Sequence, residues 1–314
     1  MKYRFVLVLG GSGFIGSHLI SRLNDTGHRV IAVTRHYEHA KHLAVFPAID
    51  DIVEANIHDD AELNRLMIGM DAVINLVGTL HSKRGQPYGP QFAQAHVELP
   101  RRIVAACRNN RVKRYLHMSA LGASSGGPSM YLRSKGDGEQ AAMSDRHLDV
   151  TIFRPSVVFG EEDRFLNMFA AMQKSFPLMP LACPDAKFQP IYVRDVAQAF
   201  VNALENDHTI GHRYELAGPD IYTLRELVQL AGYYSGHARP VIGLPDALAR
   251  LQAWIFEHMS HEPMLSRDNL DSMKVDNVAS GAISPDLDIA PVSVEAVAPF
   301  YLAGHSPHHR FGYT

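Results

Sequence analysis

The stretch Phe5-Val6-Leu7-Val8-Leu9-Gly10-Gly11-Ser12-Gly13-Phe14-Ile15-Gly16 decides the fold. Five apolar residues in a row, without alternation, read as a strand buried on both faces. Ile15, Leu19 and Leu23 then recur on one face of a helix expected over about 14–26. Between strand and helix, Gly10, Gly13 and Gly16 stand in the spacing GxxGxxG. That context is one in which glycines cradle the phosphates of a dinucleotide. Gly10 makes the tight turn, Gly13 admits a pyrophosphate close to the backbone, and Gly16 lets the helix pack on the sheet. Phe14 and Ile15 open the helix, whose unpaired amides face the same phosphates.

The pattern repeats outward from this unit. Further strands are expected at Arg29–Val33, Ile52–Glu54, Ala72–Leu76, Arg114–Met118 and Val150–Arg154. Helices are expected near 60–68, 90–109, 130–145 and 163–174. Short apolar strands alternating with helices imply an α/β fold, a Rossmann-type doubly wound parallel sheet. After Pro155 the chain is broken by Pro177, Pro180, Pro184 and Pro190. The expected organisation is a dinucleotide-binding domain over 1–160, to which segments of about 188–217 return. A smaller, mainly helical substrate or partner lobe with a flexible tail takes 161–314. Within it, Ala247–Glu257 is a strongly apolar helix that either packs on the lobe or meets a partner or membrane surface.

Composition narrows the function. With 30 basic and 33 acidic residues the net charge is −3, which gives no basic stripe for nucleic acid. Two cysteines point to no disulfide framework. Of the 18 histidines, His305, His308 and His309 fall in the tail without the spacing of a metal site, so no metal is expected. The first apolar run is too short for a signal peptide or a membrane span. A cytoplasmic protein, in place also at the inner face of the membrane, is the expectation.

The second strand ends in Thr34-Arg35-His36, where an NAD-specific site usually has a carboxylate for the ribose. Arg35, with His36 beside it, suits a 2′-phosphate instead, so NADP(H) is favoured, with NAD(H) as the alternative. Asn56 and Ile57 follow the third strand on the adenine side, where the Asn56 amide offers a donor and an acceptor. Asp59 reads as a base contact or as a helix cap. Leu76, Val77 and Gly78 end the fourth strand and Pro155 the sixth, at the carboxyl edge where ligands bind such sheets.

Ser119 ends the fifth strand. Tyr131 and Lys135 follow at i and i+4 on one face of a helix. A phenol transfers a proton only if its pKa is lowered or its proton relayed, and a nearby ammonium favours phenolate. A serine hydroxyl holds a carbonyl or alcohol oxygen. Ser119, Tyr131 and Lys135 are therefore the candidate catalytic set.

These residues resemble the short-chain dehydrogenase/reductase family, in its extended or atypical form. Val73-Ile74-Asn75-Leu76-Val77-Gly78, His117-Met118-Ser119-Ala120-Leu121-Gly122-Ala123 and Arg154-Pro155-Ser156-Val157-Val158-Phe159-Gly160 are similar to one branch of it. So are Phe188-Gln189-Pro190-Ile191-Tyr192-Val193-Arg194-Asp195-Val196 and Tyr214-Glu215-Leu216-Ala217-Gly218-Pro219. That branch contains the NADPH-binding accessory subunit of respiratory complex I and its bacterial relatives. The resemblance implies that Tyr131 is the acid/base, that Lys135 binds the nicotinamide ribose, and that Ser119 orients the substrate oxygen. It also implies two alternatives. One is a reductase of an apolar, quinone-related carbonyl or alcohol; the other is a catalytically silent NADPH-binding factor with a respiratory-complex partner. A transient-hydride epimerase or dehydratase is a third. The sequence departs from the family in having Asn56 where Asp is common. It also reads His96-Val97-Glu98 where many members place an active-site asparagine. The short spacing between Ser119 and Tyr131 suits a nucleotide-sugar substrate poorly.

Overall fold

The computed structural model describes residues 2–259 and 263–303; the expected flexible tail, with His305, His308 and His309, lies outside the described residues. The chain divides into two compact units. The first runs up to Pro155 and includes Arg194–Leu216 and Ala282–Ile289; the second holds Ser156–Val193, Ala217–Gly281 and the residues from Ala290 on.

The first unit is built on a parallel sheet. Its strands are β1 (Phe5–Leu9), β2 (Arg29–Thr34), β3 (Ile49–Glu54), β4 (Ala72–Asn75), β5 (Arg114–Met118) and β6 (Asp149–Pro155), with Arg213–Leu216 added at one edge. The order across the sheet is Arg213–Leu216, β6, β5, β4, β1, β2, β3. β1 thus lies between β2 and β4, with Val8 level with Ala32 on one side and Ile74 on the other. The chain leaves β1 in one direction and later returns on the opposite side, which opens a crevice beyond the carboxyl ends of β1 and β4. β4 and β5 are buried at every position, as expected for strands covered on both faces.

Local chemistry sets the helix ends. Asp59 accepts the Glu62 amide and caps the helix Asp60–Leu66, and Ser129 accepts the Leu132 amide and caps Met130–Ala142. The helix expected over 90–109 forms, but not uniformly. An α turn at Pro90–Phe92 widens into a π-helical segment at Ala93–Glu98 before α-helix resumes at Leu99–Asn110. The segment after β2, without an assigned element in the sequence reading, is a 3-10 helix at Tyr37–Val45.

One buried cation ties the far end of this sheet together. Arg114, fully buried at the start of β5, donates to the Asp149 carbonyl (2.8 Å), Thr151 Oγ1 (2.8 Å), the Ala203 carbonyl (2.6 Å) and Thr209 Oγ1 (2.9 Å). Burial pushes its pKa down to about 10.

The second unit is assembled from short strand pairs and helices. Val158–Phe159 pairs with Ile191–Tyr192, Met179–Leu181 with Val241–Gly243, and Lys187–Phe188 with Tyr222–Thr223. Its core gathers Phe159, Leu166, Phe169, Leu227 and Val228. Asp163, buried, accepts the Leu166 amide (2.6 Å) and the Tyr301 hydroxyl (2.7 Å), joining the start of Phe165–Ser175 to the helix Val294–Leu302. The apolar helix, Asp246–Met259, buries its small residues Ala249 and Ala253 while Leu248, Leu251, Trp254 and Ile255 are exposed. Among the described residues no helix is long and apolar enough to cross a membrane.

Arg114→Met would remove the donor to three buried acceptors and to the part-buried Asp149 carbonyl in exchange for an unbranched apolar chain. We expect a loss of about 3 kcal/mol in unfolding free energy, measured by urea denaturation.

Candidate active site

The glycine turn is held by close backbone contact. Gly10 has φ +82°, and its carbonyl accepts the Gly13 amide at 3.1 Å. A Cβ on Gly16 would stand 2.5 Å from the carbonyl oxygens of both Gly10 and Gly11, a distance side chains do not reach. The helix Phe14–Asp25 begins with Gly13 as its cap, with no side-chain hydrogen bond there and no acidic residue in its first turn. Its leading amides, with the positive end of the helix dipole behind them, are suited to an anion.

The end of β2 is stitched to this turn. Ser12 Oγ and Thr34 Oγ1 are 3.1 Å apart, and Thr34 Oγ1 also donates to the His36 carbonyl at 3.1 Å. Arg35 and His36 are both exposed, and among the described residues Arg35 makes no ion pair. Arg35 is close enough to His58 to help hold its pKa below the usual value, after burial and Arg102. Asn56 is used locally. Its Oδ1 accepts the His58 backbone amide (3.1 Å), and its own backbone N–H donates to Glu62 Oε2 (2.6 Å). Asp59 takes the capping role of the two foreseen. Ile57 is buried.

Beyond β4, Val77 donates its amide to Asn75 Oδ1 (3.1 Å), and Leu76 and Val77 lie against Gly10. Gly78 is exposed, and a Cβ there would sit 3.4 Å from Lys135 Nζ and 3.5 Å from His96 Nε2. The structure thus brings the fourth-strand glycine and the candidate lysine together. Lys135, 5 % exposed, donates to the Met118 carbonyl at 3.2 Å, and its ammonium lies 5.9 Å from the Tyr131 ring centre. Burial pushes the Lys135 pKa down to about 8, against the opposing pull of Glu139.

His96 was not among the expected site residues, yet it sits at their centre. It projects from the π-helical segment, is buried, and its ring meets Tyr131 edge-on at 5.5 Å. The Thr79 amide donates to Nε2 (3.1 Å), so the ring proton is on Nδ1, which donates to Ser134 Oγ (2.8 Å). Ser134 Oγ in turn donates to the Tyr131 carbonyl (2.8 Å). Burial, then Lys135 and His117, hold the His96 pKa well below its ordinary value. The departure His96-Val97-Glu98 was the available signal; the widened turn that aims the ring was not visible.

Ser119 has a different partner from the one expected. Its hydroxyl donates to Glu139 Oε1 at 2.6 Å. Glu139, buried, also receives Arg154 through Nε (2.7 Å) and Nη2 (2.6 Å) and Arg213 through Nε (2.9 Å). Pro155 is buried, and its carbonyl accepts the Leu121 amide at 2.9 Å, which fixes the turn after β5. Of the candidate trio, Tyr131 and Lys135 meet, while the Ser119 proton is given to Glu139.

A glycine turn at the switch point of a parallel sheet, with a lysine and tyrosine beyond β4, defines a nucleotide-binding protein of the Rossmann class. The model of the NAD dependent epimerase/dehydratase family matches residues 6–217, and the chain belongs to that family. It is 30% identical over 299 residues to the mitochondrial NADH dehydrogenase (ubiquinone) 1 alpha subcomplex subunit 9 of Arabidopsis thaliana, covering 90% of this chain and 73% of that protein. Among solved structures, Pal from Bacillus thuringiensis matches with a TM-score of 0.74 at 17% identity, covering 96% of this chain and all (100%) of that one. The UDP-glucuronic acid 4-epimerase of Bacillus cereus, in complex with UDP-glucuronic acid and NAD, matches with a TM-score of 0.67 at 18% identity, covering 96% and 100%.

The lowered Lys135 pKa carries a stability signature. Below about pH 8 the lysine is protonated both folded and unfolded; between about 8 and 10.5 only the unfolded chain holds that proton. Unfolding then takes up a proton, so this residue makes stability rise with pH through that window. We expect the wild type to gain up to about 1.4 kcal/mol per pH unit relative to Lys135→Met there, in urea titrations from pH 7 to 10.

Proposed function

We propose that this chain binds NADP(H) and acts as a short-chain-type reductase or dehydrogenase on an apolar, quinone-related carbonyl or alcohol. The observation that carries the reading is the buried Lys135 ammonium, placed against both Tyr131 and the Gly78 turn. The cradle fits a dinucleotide: the turn has no room for a side chain at Gly16, and the helix behind it begins without a capping side chain or an acid. Gly10, Gly13, Phe14, Ile15 and Gly16 would hold the pyrophosphate, Arg35 the 2′-phosphate, and Leu76, Val77 and Gly78 the passage towards the nicotinamide. When bound, the cofactor supplies the hydride chemistry. Lys135 stabilises negative charge on the Tyr131 oxygen, so Tyr131 can give a proton to, or take one from, the substrate oxygen. His96 and Ser134 hold the turn of helix that carries Tyr131. The working place would be the cytoplasm, extending to the inner face of the membrane, where apolar quinone-like molecules partition.

A second reading has its own support. The Ser119 hydroxyl is bound to Glu139, and relatives at 30% identity are named as subunits of mitochondrial NADH dehydrogenase. In that reading the chain retains NADPH without turnover and serves as a structural or assembly factor of a respiratory complex.

Tyr131→Phe separates the two. For a reductase, NADPH oxidation with short-chain quinones or aromatic ketones should fall about 100-fold or more while NADPH affinity holds. Tight NADPH binding with no turnover by the wild type supports the second reading, and turnover indifferent to the substitution removes Tyr131 as the acid. The cofactor preference has a separate check. Arg35→Ala should weaken NADPH binding about tenfold or more and leave NADH binding unchanged; an equal effect on both would remove the 2′-phosphate contact.

A further inference from the structure

Beside the helix Met130–Ala142, the first unit carries an open cleft of about 460 Å³ that neither Tyr131 nor Lys135 lines. One wall is the turn Ser124-Ser125-Gly126, and the other is Glu139 with Arg154 and Arg213. The hydrogen bonding of these walls is one-sided. Both Glu139 oxygens are saturated, Oε1 by Ser119 and Arg154, Oε2 by Arg154 and Arg213. The carboxylate therefore has little left to offer a ligand. The guanidiniums do: among the described residues, Nη1 of Arg154 and both Nη atoms of Arg213 have no hydrogen-bond partner, and the two side chains are 24% and 39% exposed. The serines add to this. Ser124 Oγ accepts the Gly126 amide (3.3 Å) and Ser125 Oγ accepts Gln140 Nε2 (2.9 Å), so each hydroxyl keeps its proton to donate. Glu215, level with Arg154 on the neighbouring strand, adds a negative field at Arg154 but does not line the cleft.

From this arrangement we propose that the cleft is a binding site for a small oxyanion, a carboxylate or a phosphate group, gripped by Arg154 and Arg213 and by the hydroxyls of Ser124 and Ser125. Among the groups that line the cleft, two guanidiniums stand against one saturated carboxylate, an excess of one positive charge that the field of Glu215 on Arg154 partly offsets, in a pocket of donors. Planar guanidinium forks match both kinds of oxyanion. The buried carboxylate holds the two forks in place before any ligand arrives, so little ordering remains at binding. The site does not depend on the dinucleotide reading, since no residue of the glycine turn contributes to it.

The test is calorimetric titration of the full chain with inorganic phosphate and, separately, with succinate. Ionic strength is held constant with sodium chloride, and each titration is repeated in saturating NADPH, because phosphate can also enter the glycine turn. Saturable binding of either anion is expected, weakened about tenfold or more by Arg213→Gln, which keeps a donor for Glu139. Ser125→Ala, which leaves the ion-pair network intact, should weaken it in the same direction. Binding of phosphate alone or of succinate alone identifies the class of ligand. No saturable heat with either anion, or binding that both variants leave unchanged, overturns the proposal and leaves the arginines as a brace between helix and sheet.

Discussion

The carbonyl oxygens of Gly10 and Gly11 occupy the space that a side chain at position 16 would need. This contact brings the first helix so close to β1 that its leading amides emerge at the edge of the sheet. β1 is also the strand at which the sheet order reverses, with β2 on one side and β4 on the other. The turn after β1 and the turn after β4 are consequently neighbours, and Leu76 and Val77 press against Gly10 itself. The candidate lysine is reached one step further, at Gly78. The absence of side chains at positions 10, 16 and 78 thus connects the glycine turn to the surroundings of Lys135.

The surroundings of Lys135 are crowded with groups that could carry positive charge. Lys135, His96 and His117 are all buried. The structure accommodates them by keeping the histidines neutral. Burial and the nearby Lys135 push His117 down to about 3 and hold His96 well below its usual range. Neutrality is also what their bonding requires, since Nε2 of His96 accepts an amide proton from Thr79. Were His96 protonated, that acceptor would be lost and a second cation would stand in the same low-dielectric space. A single ammonium is therefore the cation of the site, and its field acts on Tyr131.

What could be read from the residues alone follows from the range of the interaction. The glycine turn, the strands of the sheet and the Tyr131–Lys135 spacing are local, set by neighbours in sequence and by periodicities of two or 3.6. The end of the Asp60–Leu66 helix was legible for the same reason, since a cap and its amide are only three residues apart. Two features of the site escaped. The π-helical turns at Ala93–Glu98 leave no mark in the apolar pattern, because Leu99, Ile103 and Cys107 restore the ordinary period immediately afterwards. The partner of Ser119 depends on Glu139, Arg154 and Arg213, which come from a helix and two strands and are brought together only by the tertiary fold.

That last contact bears on how much weight the serine deserves. For Ser119 to donate to a substrate oxygen it must first release Glu139, forfeiting one hydrogen bond to a charged acceptor, about 1.5–3 kcal/mol. Glu139 would not be stranded by the change, because the three guanidinium hydrogen bonds from Arg154 and Arg213 persist. The cost is then bounded, and a substrate oxygen that offers a comparable acceptor returns most of it. Lys135 is held differently: its ammonium donates to the Met118 backbone carbonyl and lies 5.9 Å from the Tyr131 ring centre. In the proposed reaction the serine would contribute only to the extent that a substrate can compete with a buried carboxylate for its proton.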